Sequence, residues 1–193
     1  SLIVYDKIHG TSHNIKHQGK DIKAYVLSRG ERGTYIGTWN DGLLVYSEEE
    51  RAVALVSVLT QRIKINCIHC IEDNVWVGTE GGGLYCINES SDKISHYSKE
   101  AGHIIDDTVR SLQSDNNGNL WVGTLNGLTI LNEGNQVSEN LKHNSFVPGS
   151  LSHDSIRTIF VDNHEGVWIG TYYGGVNYWH PMYARFRHIR RLP

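Results

Sequence analysis

Trp168-Ile-Gly-Thr171 is the last of four copies of one short motif, and the earlier copies are Tyr35-Ile-Gly-Thr38, Trp76-Val-Gly-Thr79 and Trp121-Val-Gly-Thr124. Their first residues lie 41, 45 and 47 positions apart. Recurrence at about 40 to 50 residues indicates a repeat architecture, in which each unit is one supersecondary structure that packs on its neighbours. We therefore interpret the rest of the sequence in units of this repeat.

Each copy of the motif is flanked by segments of strand type. A Gly-rich turn and a short apolar segment follow it, as in Gly127-Leu-Thr-Ile-Leu131, and another apolar segment precedes it. β-branched and aromatic residues between Gly, Asn and Asp turns are typical of β-strands, and no helical stripe is sustained. Fourth strands are predicted at Lys93–Tyr97 and Arg185–Ile189. The chain is therefore predicted to be an all-β β-propeller fragment, with about four four-stranded antiparallel blades plus part of a preceding blade.

The repeat also predicts how the chain divides. We expect a single β-propeller segment over residues 1–193, with the end of a preceding blade at 1–20 and blades at 21–60, 61–104, 105–150 and 151–193. Ser1-Leu-Ile-Val-Tyr5 aligns with Gly42-Leu-Leu-Val-Tyr46, so the chain is expected to begin at the third strand of an earlier blade. Because a blade buries its faces on its neighbours, a piece of a larger propeller is expected to self-associate through its open ends.

Composition narrows the class of protein. The 193 residues carry a formal net charge of −3 and contain no long basic tract, so a nucleic-acid partner is not expected. The longest apolar run, Ala52–Leu59, is far shorter than the roughly 20 residues that cross a bilayer. Three cysteines cannot all pair with one another, which argues against a disulfide scaffold.

The last unit carries a resemblance to a known family. Its segments are Pro148-Gly-Ser-Leu-Ser152, Ile156-Arg-Thr-Ile159, Asp162-Asn-His-Glu-Gly166, Val167-Trp-Ile-Gly-Thr171 and Gly174-Gly-Val176. In this order they resemble the two-component regulator propeller repeat. The unit at Asn119–Thr124 matches well, the unit at Cys67 lacks the Gly of its first turn, and the unit with Tyr35 in place of Trp is the most divergent. Four copies in register extend the resemblance over essentially the full length.

The resemblance implies a function that composition does not show. Such repeats form the periplasmic sensor part of hybrid histidine kinases in Bacteroides-like bacteria and are associated with polysaccharide use. The chain is thus expected to be the ligand-sensing periplasmic part of an inner-membrane receptor that responds to a carbohydrate. The segment itself is expected not to be an enzyme, to need no cofactor, and to pack on other blades of its parent or form a homodimer. The alternative is a stand-alone glycan-binding or glycan-active propeller.

The cysteines invite a redox or zinc interpretation, which the repeat disfavours. Cys67 and Cys70 are aligned with Ile156 and Ile159, and residues i and i+3 of a strand point to opposite faces, which is poor geometry for chelation. Cys86 occupies the apolar position of Ile130. All three thiols are therefore expected to be buried and reduced.

Candidate binding residues are sought where the repeats differ, because the scaffold does not dictate them. The turns after the Gly-Thr pair carry Trp39, Asn40 and Asp41 in one unit and Tyr172 and Tyr173 in the last. Exposed aromatic rings beside amide and carboxylate groups suit sugar binding, so these five residues are the predicted ligand site. The alternative is that Trp39 and Tyr172 cover a neighbouring blade. No catalytic residue or metal site is predicted, since the histidines lack ligand spacing and the Asp-rich turns lack the length of a calcium loop.

Overall fold

A computed structural model describes residues 2–56, 63–183 and 185–189, and within them every regular element is a β-strand. The strands, in chain order, are β1 (Leu2–Asp6), β2 (Thr11–His17), β3 (Lys20–Asp21), β4 (Ala24–Gly30), β5 (Gly33–Thr38), β6 (Leu43–Ser47), β7 (Ala52–Leu55), β8 (Ile65–Ile71), β9 (Asn74–Thr79), β10 (Leu84–Asn88), β11 (Ile94–Tyr97), β12 (Val109–Ser114), β13 (Leu120–Thr124), β14 (Gly127–Leu131), β15 (Val137–Leu141), β16 (Ile156–Val161), β17 (Val167–Thr171), β18 (Val176–Trp179) and β19 (Arg187–Ile189). No helix in the described ranges is long and apolar enough to span a membrane.

The strands form four four-stranded sheets and one three-stranded sheet, each an antiparallel meander in chain order. The predicted all-β propeller fragment is thus confirmed, with β1–β3 as part of a preceding blade and β11 and β19 as fourth strands. The first strands β4, β8, β12 and β16 contact one another from blade to blade and lie innermost. The expected division between residues 60 and 61 lies outside the described residues.

The repeated Trp packs each blade on the next one. Trp121 is 1% exposed and shares a core with Ile156 and Ile159 of the following blade. Its indole N–H donates to Asp115 Oδ2 at 2.8 Å, which ties the ring to the first hairpin turn. Trp168 makes the same bond to Asp162 at 2.7 Å but is only half-buried, because no described blade follows it. That bond is the main reason why the pKa of Asp162 lies below its usual 3.8.

The Gly of the repeated motif is required by the same packing. A Cβ on Gly123 would lie 2.6 Å from Ile156 Cγ2, so the first strand of the next blade occupies the space. One on Gly78 would lie 2.6 Å from Val109 Cγ1 of the next blade and 2.5 Å from Cys67 Sγ of its own. At Gly170 the close neighbour is Thr158 Cγ2 of the same blade, at 2.8 Å. The motif therefore encodes a close approach between blades.

Replacing Gly123 by alanine is expected to lower the free energy of unfolding by about 1–3 kcal/mol, because the new methyl group overpacks a filled junction. Gly170→Ala is the matched control and is expected to lower it by less, since no described blade covers that glycine. Chemical denaturation of both variants measures the difference. Equal losses would mean that the junction does not set the requirement for Gly.

The structure corrects the sequence alignment of the first strand. Ile65 pairs with Thr79 as Ile156 pairs with Thr171, so Ile65 and Ile68, not Cys67 and Cys70, occupy the positions of Ile156 and Ile159. In the first complete blade, Ala24 and Leu27 take these positions, since Ala24 pairs with Thr38 and Leu27 with Ile36. The physical reason is that an apolar pair at i and i+3 occurs at more than one place in these segments, and only the pairing with the second strand determines which pair takes this position. The first hairpin turn also differs, with two residues in these two blades and five in the later two.

His69 joins two blades in a way that depends on its protonation. Its Nε2 lies 3.0 Å from Ser114 Oγ and accepts from the Ser114 backbone N–H at 3.2 Å. Burial lowers the pKa of His69 below its ordinary 6.5, because the charged ring would lose water and its acceptor nitrogen.

The unfolded chain consequently binds a proton at His69 at a higher pH than the folded chain. The stability contributed by the neutral ring is present above pH 6.5 and is lost as the pH falls through the lowered pKa. We expect the free energy of unfolding to fall between pH 7 and pH 5, and the fall to be smaller in His69→Gln. Denaturation curves across this range provide the measurement. An identical pH slope in both proteins would contradict the assignment.

Candidate functional site

A β-bulge interrupts the first strand of all four complete blades at the same place. In each, one residue is skipped in the pairing opposite the Gly-Thr pair, for example between Ala24 and Val26 or between Ile156 and Thr158. The skipped residues are Tyr25, Asn66, Arg110 and Arg157. A bulge redirects a side chain out of the regular alternation of a strand. Each complete blade thus contributes one redirected side chain, and that of Asn66 also donates to the Val109 carbonyl oxygen of the next blade at 3.0 Å.

These four side chains line one cavity at the mouth formed by the inner strands. The cavity has a volume of about 640 Å³, and its remaining lining residues are Lys64, Glu80, Thr158 and Tyr172. We call this the mouth cavity. Its walls come from all four complete blades, so its shape depends on the whole described arc of the ring.

Charge in the mouth cavity is distributed unevenly. Glu80 Oε2 lies 3.6 Å from Lys64 Nζ and accepts from Asn66 Nδ2 at 2.8 Å, so the one lining carboxylate is already engaged. Among described residues, Arg110 and Arg157 have no carboxylate within 4 Å, although the Arg110 guanidinium lies 3.5 Å from Ser155 Oγ. The cavity therefore has a cationic side in a chain of net negative charge.

Aromatic rings stand on both sides of this cavity. Trp39 is 52% exposed, meets Tyr25 edge to face at 5.9 Å between centroids, and has Lys64 Nζ 4.3 Å above its ring. On the other side, Tyr172 packs against Tyr173 at 5.2 Å and is 52% exposed. The rings of Trp39 and Tyr172 are thus available to a ligand at two edges of one opening.

The five predicted ligand residues do not all lie at one place. Tyr172 lines the mouth cavity, Tyr173 packs beside it and against His153, and Trp39 borders it through Tyr25 and Lys64. Trp39, Asn40 and Asp41 line a separate cleft of about 280 Å³ that faces His17–Lys23. Whether any of the five binds a ligand stays a prediction.

Sequence reasoning did not single out Tyr25, Asn66, Arg110 or Arg157. All four lie in the first strands of their blades, and strict alternation of side chains along a strand does not predict that they point in one direction. All four directly follow the residue that pairs with the Thr of the motif. If the pairing of the first and second strands had been predicted correctly, this shared position would have identified them.

The three thiols are free in the structure. Cys67 packs toward the following blade and Cys70 toward the preceding one, so they lie on opposite faces as predicted. Cys86 is buried, whereas Cys67 and Cys70 are only half-buried by exposed area. Burial raises the pKa of Cys67 to about 12 and that of Cys86 to about 11, which suppresses the reactive thiolate. In the described part of the chain, no three His, Cys, Asp or Glu side chains are grouped to hold a metal ion.

Two of the repeats match a known protein family. Residues 103–126 and 150–173 match the family described as two component regulator propeller. These matches include two of the four Gly-Thr motifs and the bulge residues Arg110 and Arg157. No curated protein matches the chain.

Solved structures share the fold. The extracellular domain assigned to the hybrid two component system BT3049 from B. thetaiotaomicron superposes with a TM-score of 0.77 at 18% identity, over 94% of this chain and 25% of that one. The extracellular domain of BT4673 from the same organism gives 0.70 at 25% identity, over 92% and 25%. The computationally designed protein Ika4 gives 0.64 at 10% identity, over 87% and 97%. The chain spans about a quarter of the length of the two extracellular domains.

Proposed function

We propose that this chain, two of whose repeats match the two component regulator propeller family, is a ligand-sensing segment of the periplasmic part of an inner-membrane hybrid histidine kinase. Propellers of this family are sensor domains and not catalytic ones. The proposed ligand is a carbohydrate bound at the mouth cavity. Binding there would bias the arrangement of the receptor, and the remainder of the parent would transmit that bias across the membrane.

The observation that carries the proposal is the mouth cavity itself. Each complete blade sends the side chain at its bulge into it, and aromatic rings flank it at Trp39 and Tyr172. Rings with polar groups between them can stack on a sugar face and bond its hydroxyls. The extracellular location of the two natural structural neighbours supports an extracytoplasmic site.

A glycan-panel titration of the 193-residue chain tests the proposal. We expect at least one oligosaccharide to bind, and Tyr172→Ala to weaken that binding about tenfold or more through loss of one stacking partner. Tyr5→Ala removes an exposed ring in the partial blade and is the control, with affinity unchanged. If no glycan binds, or if Tyr172→Ala has no effect, the mouth cavity is not a carbohydrate site. Cleavage of a bound glycan would instead favour the glycan-active alternative.

We also propose that the uncovered faces of the first and last sheets pack on further blades. Phe160 is 60% exposed and Trp168 half-buried on the last blade, whereas Trp121 at the matching position is covered. In the parent the covering surface would be its next blade, and in the isolated chain it would be a second copy, with a two-chain ring of about eight blades as one closed arrangement. Light scattering at several concentrations tests this. A strictly monomeric chain would contradict self-association.

A further inference from the structure

We propose that the mouth cavity selects a ligand with a carboxylate on a ring, held by Arg110 and Arg157 while the ring packs on Tyr172. This inference rests on the proposed ligand site and adds the charge of its occupant. Three features support it: the positions of the two guanidinium groups, the tyrosine beside them, and the distribution of acidic groups around the cavity.

The geometry brings the two arginines to one aromatic ring. The guanidinium carbons of Arg110 and Arg157 lie 5.7 and 5.9 Å from the centroid of Tyr172. They come from adjacent blades and occupy the same bulge position, so neither is held by the regular pairing of its strand. A guanidinium presents a planar fork of donors that matches the two oxygens of a carboxylate.

Within the described chain, both arginines face the Tyr172 ring, but neither is paired with a carboxylate. Glu80 is engaged by Lys64 and Asn66, and no other described carboxylate lies within 4 Å of either guanidinium. Two cations that share a concave site without an anion repel each other, and an anionic ligand removes that repulsion. A neutral sugar could bond their N–H groups but would leave the charge uncompensated.

Tyr172 is placed to select a ligand that has a ring as well as a carboxylate. Its ring is half-exposed, follows the Gly-Thr pair of the last blade, and packs against Tyr173 on one side. A ring stacked there would bring a carboxylate attached to it within reach of the arginines. We therefore expect an acidic ring, such as a hexuronic acid unit, to bind better than its neutral counterpart.

Titration of the 193-residue chain with three probes tests this inference. The probes are tetragalacturonic acid, its fully methyl-esterified form, and isophthalate, which carries carboxylates on a ring that is not a sugar. We expect the acid to bind at least tenfold more tightly than the ester. Arg110→Gln and Arg157→Gln should each weaken acid binding by about 10- to 100-fold, the range of a charge-assisted hydrogen bond. Arg29→Gln is the control for net charge, because Arg29 pairs with Glu48 away from the cavity.

The outcomes separate this inference from the proposed function. Equal affinity for acid and ester overturns the inference and leaves a neutral carbohydrate site standing. Binding of isophthalate but not of either saccharide, lost in the arginine variants, supports the inference and overturns the carbohydrate. Binding of none of the three probes, or a loss in Arg29→Gln equal to that in the arginine variants of the cavity, overturns the inference.

Discussion

Replacing Trp121 by alanine is expected to lower the free energy of unfolding by about 3–5 kcal/mol, the range for removal of a large buried aromatic side chain. The ring is 1% exposed and lies between two blades, with Ile156 and Ile159 beyond it and Trp179 at 5.1 Å between ring centroids. The substitution leaves a cavity at this junction and removes the indole bond to Asp115.

Trp168→Ala is the matched control for that prediction. Trp168 occupies the same repeat position and makes the same bond to an aspartate turn, but it lacks a described following blade. We expect its removal to cost about 1–2 kcal/mol, so that the difference between the two variants reports packing between blades. Denaturant titration of both variants measures it. Equal losses would show that the Trp stabilises its own hairpin and not the junction.

Glu89→Ala is expected to lower the free energy of unfolding by about 3–4 kcal/mol, because it leaves the buried Tyr35 hydroxyl and two part-buried backbone N–H groups without their partner. Glu89 is 5% exposed and reaches from one blade to the first hairpin turn of the blade before it. Its carboxylate accepts from the backbone N–H groups of Glu31 and Arg32 at 3.0 and 2.9 Å and from the Tyr35 hydroxyl at 3.0 Å. Burial, and then this bond to Glu89, raises the pKa of Tyr35 well above its usual range.

A double-mutant cycle with Tyr35→Phe tests whether the contact itself is responsible. We expect Tyr35→Phe to cost about 1–2 kcal/mol in the parent sequence and close to nothing in the Glu89→Ala background. Urea unfolding of the four proteins supplies the cycle. The same loss from Tyr35→Phe in both backgrounds would show that the two side chains act independently.

The fold could be predicted from the sequence because packing between blades imposes the same residues in each repeat. Gly123 must be small since Ile156 lies over it, and Trp121 must be large since it fills the junction. The register of the first strand was not predicted in the first two blades. Cys67 and Cys70 repeat the i and i+3 spacing of Ile65 and Ile68, and only strand pairing distinguishes the two pairs. In the first complete blade, Glu89 replaces the aspartate that the later turns supply.

Of the residues that line the mouth cavity, only Tyr172 was predicted from the sequence as a ligand residue. Tyr172 was predicted because the turn after the Gly-Thr pair differs between the repeats and carries an aromatic residue in the last one. Arg110 and Arg157 were not, because each lies in a bulge, where one inserted residue reverses the alternation on which sequence interpretation depends. Which face such a residue occupies is decided by the pairing of two strands and not by its neighbours in sequence.

The repeated bulge also has a consequence for protein engineering and for evolution. Tyr25, Asn66, Arg110 and Arg157 hold equivalent positions, yet their side chains differ in size, charge and hydrogen-bonding groups. The scaffold thus already accepts very different chemistry at this one position. Substitutions exchanged among the four blades are therefore expected to change the lining of the mouth cavity while the junctions formed by Trp and Gly stay intact. If the proposed ligand site is correct, a combinatorial library limited to these four codons would vary its specificity on one unchanged architecture.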